Sequence, residues 1–213
     1  MCCVKRALLA LAVVAGALPL CGGCSSRPAT IAPVDVDPDE ASRLALEQYD
    51  KDDDGLLRDS ELAAVPGIAK YKKLYDQDAD GAVSAEEIAA RLELWSEQGL
   101  GFRPLNLVLT VDGRPLPGAT VTFVPEPYLG PNVKRAAGTT DASGMASMSV
   151  AVEDMPADLK DLPIEGVMGG TFKVEVTHPT AKLPARFNTE TTLGEEVAFD
   201  TIRERATVSI STK

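Results

Sequence analysis

Two short stretches of the chain place acidic side chains at a spacing suited to holding a metal ion. The first, DKDDDGLLRDSE, spans Asp50–Glu61, and the second, DQDADGAVSAEE, spans Asp76–Glu87. Both have aspartate at positions 1, 3 and 5, glycine at position 6 and glutamate at position 12. Because like charges this close repel one another, the pattern predicts a divalent cation at the centre of each loop.

The ligands of such a cation follow from the chemistry of calcium, which takes about six to eight oxygens at ~2.3–2.6 Å. Carboxylates at alternate positions of a turn supply some of these, position 7 supplies a backbone carbonyl, and glutamate at position 12 supplies two oxygens. We therefore predict two calcium ions per chain. The predicted ligands are Asp50, Asp52, Asp54, Leu56 and Glu61 in the first loop, and Asp76, Asp78, Asp80, Ala82, Ser84 and Glu87 in the second.

The two loops differ at position 9, where the first has Arg58 and the second has Ser84. A serine hydroxyl can bind calcium directly or through a water molecule, whereas an arginine cannot be a cation ligand. The sequence therefore predicts that the second loop binds more tightly.

Helical patterns flank both loops. Leu46 and Tyr49 share one face of a helix predicted over residues 39–49, and Ile88, Leu92 and Trp95 recur at helical spacing before a glycine. The two motifs and their flanks resemble the EF-hand pair, and the resemblance covers residues 39–97. It implies a helical calcium-binding domain, which we place at residues 39–99.

The first 24 residues have the composition of an export signal. Lys5 and Arg6 precede an apolar run of 14 residues at positions 7–20, which is too short to span a bilayer of ~30 Å comfortably as a helix. Gly22 and Gly23 then offer the small side chains that a signal peptidase requires. We predict a signal peptide at residues 1–23.

Cys24 follows these glycines directly. This arrangement resembles the lipobox of bacterial lipoproteins, although Cys21 stands where that family usually has leucine. The resemblance implies that Cys24 is lipidated and anchors the chain to a membrane, with residues 24–38 as a proline-containing tether. The alternative is a secreted protein without a lipid, cut near Gly23. All four cysteines lie within the first 24 residues, so no disulfide is predicted in the folded region.

From residue 102 onward the sequence alternates between short β-rich runs and turns. Asp112-Gly113 and Gly144 mark turns, and Phe172, Val174 and Val176 alternate with polar residues. The segments DGRPLPGATVTFVPE, GTTDASGMASM and GTFKVEVTHP resemble the carboxypeptidase regulatory-like, or transthyretin-like, domain. The resemblance implies a β-sandwich over residues 102–213 with a structural or adhesive role.

These inferences together predict the fold class. We expect a multidomain protein, α plus all-β, in which the helical EF-hand pair precedes a small antiparallel Ig/transthyretin-like β-sandwich.

Charge and motif content limit the possible functions. The net charge is −11, and residues 39–97 hold 16 acidic and 7 basic residues, a net of −9, so nucleic acid is not an expected partner. The sequence lacks G-x-S-x-G, H-E-x-x-H and phosphate-binding glycine motifs, so we predict that the protein is not an enzyme.

Two non-catalytic functions fit the sequence. The first is a calcium-binding surface lipoprotein of the cell envelope, with an envelope protein or polysaccharide as a possible partner. The second is a calcium-dependent docking module similar to dockerins. Dockerin loops usually end in aspartate, whereas these end in Glu61 and Glu87, which favours the first.

Overall fold

The computed structural model describes residues 33–157, 159–161, 164–202 and 205–212, which belong to one compact unit, Ile31–Lys213. Within these ranges the helices are α1 (Pro38–Tyr49), α2 (Asp59–Leu62), α3 (Pro66–Lys70), α4 (Lys72–Tyr75) and α5 (Ala85–Glu97). The strands are β1 (Leu56–Leu57), β2 (Val83–Ser84), β3 (Phe102–Arg103), β4 (Leu105–Val111), β5 (Arg114–Pro115), β6 (Thr120–Pro125), β7 (Ala136–Thr139), β8 (Met145–Val150), β9 (Val167–Met168), β10 (Gly170–Thr177), β11 (Gly194–Val197) and β12 (Arg205–Ile210).

The two longest helices beside the acidic loops, α1 and α5, begin at residues whose side chains cap the helix N-terminus. Asp37 caps α1 by accepting a hydrogen bond from the Glu40 amide at 3.0 Å, and a proline occupies the first helical position. Ser84 caps α5 and forms a reciprocal pair of hydrogen bonds with Glu87. Both helices were predicted from the spacing of their apolar residues, and the structure confirms them.

Eight strands form one sheet in the order β11-β10-β6-β7-β8-β4-β12, with β5 paired to β4 beside this path. The pairs are antiparallel except for β4 and β12, which run parallel with Leu107 opposite Ala206 and Leu109 opposite Val208. The sheet curves into a half-barrel. The predicted alternation of β10 is confirmed, because Phe172 and Val176 are fully buried while Thr177 is exposed.

The predicted fold class is wrong. From residue 102 onward the chain builds one curved eight-stranded sheet with a parallel pair and a separate two-stranded ladder of β3 and β9, not two stacked antiparallel sheets, so it is not the expected β-sandwich. The α-helices in the described ranges are five, all short. Helix α3 packs on β10 and β11, α1 packs on α5, and the helices share one core with the sheet instead of forming the expected EF-hand pair beside it. Alternating apolar residues mark a strand with one buried face, but they do not specify what covers that face, and this is why the sequence misled.

Helix α3 shows how closely the helices approach the sheet. A Cβ atom at Gly194 would lie 2.0 Å from the carbonyl carbon of Pro66, and a Cβ at Gly67 would lie 3.2 Å from the carbonyl oxygen of Glu195. At Gly194 only glycine therefore allows this contact between α3 and β11, and at Gly67 a larger residue would be crowded. Ile68 and Ile88 from the helices join Phe123 in one continuous hydrophobic core.

The predicted signal peptide, Cys24 and the tether up to residue 32 lie outside the described residues. Within the described ranges, no helix combines the length and the apolar character required to cross a bilayer. The predicted domain boundaries concern processing and independent folding, and they stay predictions.

Candidate functional site

The two acidic loops occupy equivalent places in the chain. Asp50 and Asp76 are the C-caps of α1 and α4, so each loop begins where a helix ends. The backbone is left-handed at positions 4 and 6 of both loops, with φ of 57° at Asp53, 82° at Gly55, 61° at Ala79 and 86° at Gly81. Glycine at position 6 is therefore required by the turn in both loops.

The structure brings the predicted carboxylate ligands together. In each loop one carboxylate oxygen from each of positions 1, 3 and 5 lies within 4.8 Å of the others. These residues are Asp50, Asp52 and Asp54 in the first loop and Asp76, Asp78 and Asp80 in the second. Three carboxylates at this separation repel one another unless a cation lies among them.

The first aspartate of each loop has one oxygen paired and one unpaired. Asp50 Oδ2 accepts the Gly55 amide at 2.8 Å, and Asp76 Oδ2 accepts the Gly81 amide at 3.1 Å. The other oxygen, Oδ1, is buried in both residues and has no hydrogen-bond partner among the described residues. A buried carboxylate oxygen without a partner is unfavourable in water-free surroundings, and a bound cation would satisfy it.

The glutamate at position 12 spans each loop. Glu61 accepts the amides of Lys51 at 2.8 Å and Arg58 at 2.9 Å, one on each carboxylate oxygen. Glu87 accepts the amides of Gln77 at 2.8 Å and Ser84 at 2.9 Å in the same way. Both carboxylates are thereby held against positions 2 and 9 of their own loop.

A short β-ladder joins the loops. Leu57 pairs with Val83 and Leu56 pairs with Ser84, so β1 and β2 run antiparallel. Both paired residues at position 8, Leu57 and Val83, are apolar and fully buried. The predicted carbonyl ligands are Leu56 and Ala82. Each donates its backbone amide to the aspartate two residues earlier, Leu56 to Asp54 at 2.9 Å and Ala82 to Asp80 at 2.7 Å.

The loops differ in the side chain at position 9. The Arg58 guanidinium contacts Asp54 Oδ2 through Nη2 at 2.8 Å and Nε at 3.1 Å. This hydrogen bond holds the pKa of Asp54 below its usual value. Ser84 instead donates its hydroxyl to Glu87 at 3.0 Å and leaves the aspartates of its loop untouched.

The charges within the loops also shift pKa values. Desolvation, followed by the nearby charges of Asp54 and Glu61, raises the pKa of Asp52. Desolvation opposes ionisation of Glu87 as well, but hydrogen bonds from Ser84 and Gln77 outweigh it and lower the pKa of Glu87. The surroundings therefore shift the pKa values of these two predicted ligands in opposite directions, upward for Asp52 and downward for Glu87.

Sequence reasoning missed the buried polar contacts between the loop region and the sheet. Tyr49 bonds Glu126, while Tyr75 and Arg91 bond Glu196. The glutamates lie in β-rich sequence where nothing marks them as buried. The sequence offered one signal: a tyrosine directly precedes the first aspartate of each loop, which marks the two tyrosines as equivalent.

No protein-family model, no curated protein and no solved structure matches the chain. The functional argument therefore depends on the chemistry and geometry of these residues.

Proposed function

We propose that the protein is a non-catalytic calcium-binding protein that holds one ion in each acidic loop. One observation supports this above the others: in both loops, the first aspartate has a buried Oδ1 with no hydrogen-bond partner among the described residues, beside two further carboxylates. Loop 1 is Asp50–Glu61 and loop 2 is Asp76–Glu87. An ion at each triad would compensate the mutual repulsion and the unpaired oxygen together.

The donor set favours calcium over other metals. The predicted ligands are carboxylate, carbonyl and hydroxyl oxygens, whereas zinc and copper prefer imidazole and thiolate ligands. Magnesium demands near-ideal octahedral geometry and retains most of its water. A loop with three aspartates and a glutamate able to give two oxygens suits the larger, more flexible coordination of calcium.

We propose that calcium acts as a structural ion. Each loop joins two helices, and the helices on both sides pack into the core shared with the sheet. Neutralising the triads would stabilise these junctions, so ion binding and folding are linked. Loops of moderate affinity would remain occupied outside the cell, because extracellular sites work at ~10⁻⁴–10⁻³ M calcium.

Isothermal titration of the whole chain with calcium tests this proposal. Asp50→Asn and Asp76→Asn should each abolish or strongly weaken one site, because each removes the charge of the unpaired carboxylate. Asp53→Asn is the matched control: it removes one charge from the same loop at a position that is not a predicted ligand. Unchanged titrations in both ligand variants, or equal losses in the control, would contradict calcium binding by these loops.

We also propose export and anchoring through a lipid on Cys24, with the folded unit presented at the surface of a cell-envelope membrane. The support is the sequence pattern around Cys24. Fractionation of cells tests it: Cys24→Ser should move the protein from membranes to the soluble fraction, and Cys21→Ser should not. Release by the Cys21 variant alone would contradict the assignment.

A further inference from the structure

Each acidic loop is preceded by a tyrosine whose hydroxyl reaches a buried glutamate of the sheet. Tyr49 donates to Glu126 Oε2 at 2.7 Å, directly after β6, and Tyr75 donates to Glu196 Oε2 at 2.6 Å, within β11. Both glutamates are 0% exposed. Two loops of one sequence pattern are thus attached to the sheet by the same kind of bond at the same position.

The buried glutamates depend on these bonds. A carboxylate taken out of water is unfavourable unless hydrogen bonds or opposite charges compensate it. Glu126 has the Tyr49 hydroxyl and, at 3.7 Å, the ammonium group of Lys173, while its Oε1 has no hydrogen-bond partner among the described residues. Losing the tyrosine contact would leave Glu126 with little compensation.

Loop 2 is attached on both of its sides to one carboxylate. Arg91 lies on α5, one helical turn after Glu87, and its guanidinium contacts Glu196. The same guanidinium contacts Asp200 at 2.7 and 2.8 Å. Glu196 therefore bonds a residue just before loop 2 and a residue just after it.

We propose that Tyr49 and Tyr75 are positioning residues that couple calcium occupancy of the loops to the sheet. The coupling rests on the proposed calcium binding. An ion that fixes Asp50 or Asp76 also fixes the adjacent tyrosine, which favours its bond to the glutamate. Without the ion, repulsion among the aspartates loosens the residue to which the tyrosine is joined. Coupling is reciprocal, so the sheet contact raises calcium affinity as much as calcium strengthens the contact.

Calcium titration of the full chain provides the first test. Tyr75→Phe should weaken binding at loop 2, and Tyr49→Phe at loop 1, by roughly five- to tenfold, the lower part of the usual range of coupling between sites. Tyr71→Phe is the matched control. Its hydroxyl also bonds a buried glutamate, Glu195, but it lies five residues before the loop and should leave both affinities unchanged.

Amide hydrogen exchange with and without calcium distinguishes coupling from a purely structural role. The quantity measured is the change in exchange rate that calcium causes in the sheet. In the unsubstituted chain, calcium should slow exchange in β11 and at Glu126 by at least severalfold. In Tyr75→Phe the calcium-induced slowing in β11 should become clearly smaller, because only the Arg91 contact with Glu196 remains, while exchange in β4 stays as before. A tyrosine that only stabilises the fold would instead raise exchange equally with and without the ion.

The outcomes separate the two proposals. Absence of calcium binding by the unsubstituted chain would overturn the proposed function and the coupling with it. Calcium binding that is unaffected by both Tyr49→Phe and Tyr75→Phe, or weakened equally by Tyr71→Phe, would overturn the coupling alone. Selective loss at the loop adjacent to each substituted tyrosine would support it.

Discussion

Loop 1 and loop 2 share their ligand spacing, their left-handed positions and their glutamate geometry, yet their carboxylates have different neighbours. In loop 1 the guanidinium of Arg58 bonds Asp54, a predicted ligand. In loop 2 the hydroxyl of Ser84 donates to Glu87, which adds to the backbone hydrogen bonds from Ser84 and Gln77 that lower the pKa of Glu87 against desolvation. The shared pattern of predicted ligands therefore does not imply equal calcium affinity, because we expect a side chain at a neighbouring position to compete with the ion or to support a ligand.

The loops also differ in the cation that lies near the glutamate bonded by each tyrosine. Glu126 faces the ammonium group of Lys173 at 3.7 Å, whereas Glu196 contacts the guanidinium of Arg91, which is 3% exposed. A planar guanidinium compensates a buried carboxylate better than a distant ammonium group does. We expect loop 2 to be the more firmly held of the two.

Removing both ions at once should have the largest effect. Calcium at 100 times its dissociation constant adds ~2.7 kcal/mol per site, so two sites together add roughly 5 kcal/mol. Calorimetry with and without EDTA should show one transition that moves as a unit, because the tyrosine contacts and the contact of Arg91 with Glu196 join the loops to the sheet. Two transitions, of which only one moves, would instead support the predicted boundary between residues 99 and 102.

The attachment of loop 1 should make stability depend on pH. Burial raises the pKa of Glu126 from 4.5 to about 7, so the folded state binds a proton more tightly than the unfolded state does. This group's contribution to folding stability is therefore lost as the pH rises from about 4.5 to about 7, by roughly 3 kcal/mol in total.

The Glu126→Gln variant has no ionisable group at this position. The loss of folding stability that Glu126 causes as the pH rises should therefore be absent from this variant. Urea unfolding at pH 5 and pH 8, in the presence of a chelator, measures it in both proteins. Glu153→Gln, at an exposed position, serves as the control. Equal pH dependence in the unsubstituted chain and in Glu126→Gln would contradict the assigned role of Glu126.

Removing the charge of the glutamate at position 12 should weaken calcium binding at one loop and leave the other loop unaffected. Glu87→Gln should weaken loop 2 on the order of 100-fold, because it removes a charged ligand able to give two oxygens. Glu61→Gln should affect loop 1 in the same way, from a weaker starting affinity. Glu86→Gln, which removes a charge beside loop 2 without removing a predicted ligand, is the control for calcium titration. Two unaffected sites in both ligand variants would refute the assignment of these glutamates.

Exchanging the residues at position 9 should have the smallest effect. Arg58→Ser frees Asp54 and removes a cation from the first loop, so loop 1 should bind calcium about fivefold more tightly. Ser84→Arg should weaken loop 2 to a similar degree. Lys51→Ser is the control, because it also removes one positive charge from loop 1; it should raise the calcium affinity of that loop less than Arg58→Ser does. A loop 1 affinity that is insensitive to Arg58→Ser would show that the contact with Asp54 does not oppose the ion.

Sequence reasoning succeeded where the determinants are local. The carboxylate triads and the turns at Gly55 and Gly81 are each determined within one short repeat. The alternation of β10 is likewise a property of eight consecutive residues. Each follows from backbone geometry that acts over a few residues.

The missed features are non-local. Tyr49 and Glu126 are 77 residues apart, and Tyr75 and Glu196 are 121 apart. The sequence gives no sign that either glutamate is buried, because glutamate is usually exposed. The single curved sheet was missed for the same reason, since alternation indicates a buried face but leaves strand order and direction open.

The parallel pair of β4 and β12 has a consequence for how the chain reaches its native state. Thr110 and Ser209, which share a hydrogen bond across this pair, are 99 residues apart. Closing so long a segment is entropically slow, and contacts of this separation delay folding. Until residues 205–210 dock, the β4 edge that they cover stays open to other chains. The yield of refolding should therefore fall as protein concentration rises, even under conditions where the native protein is stable.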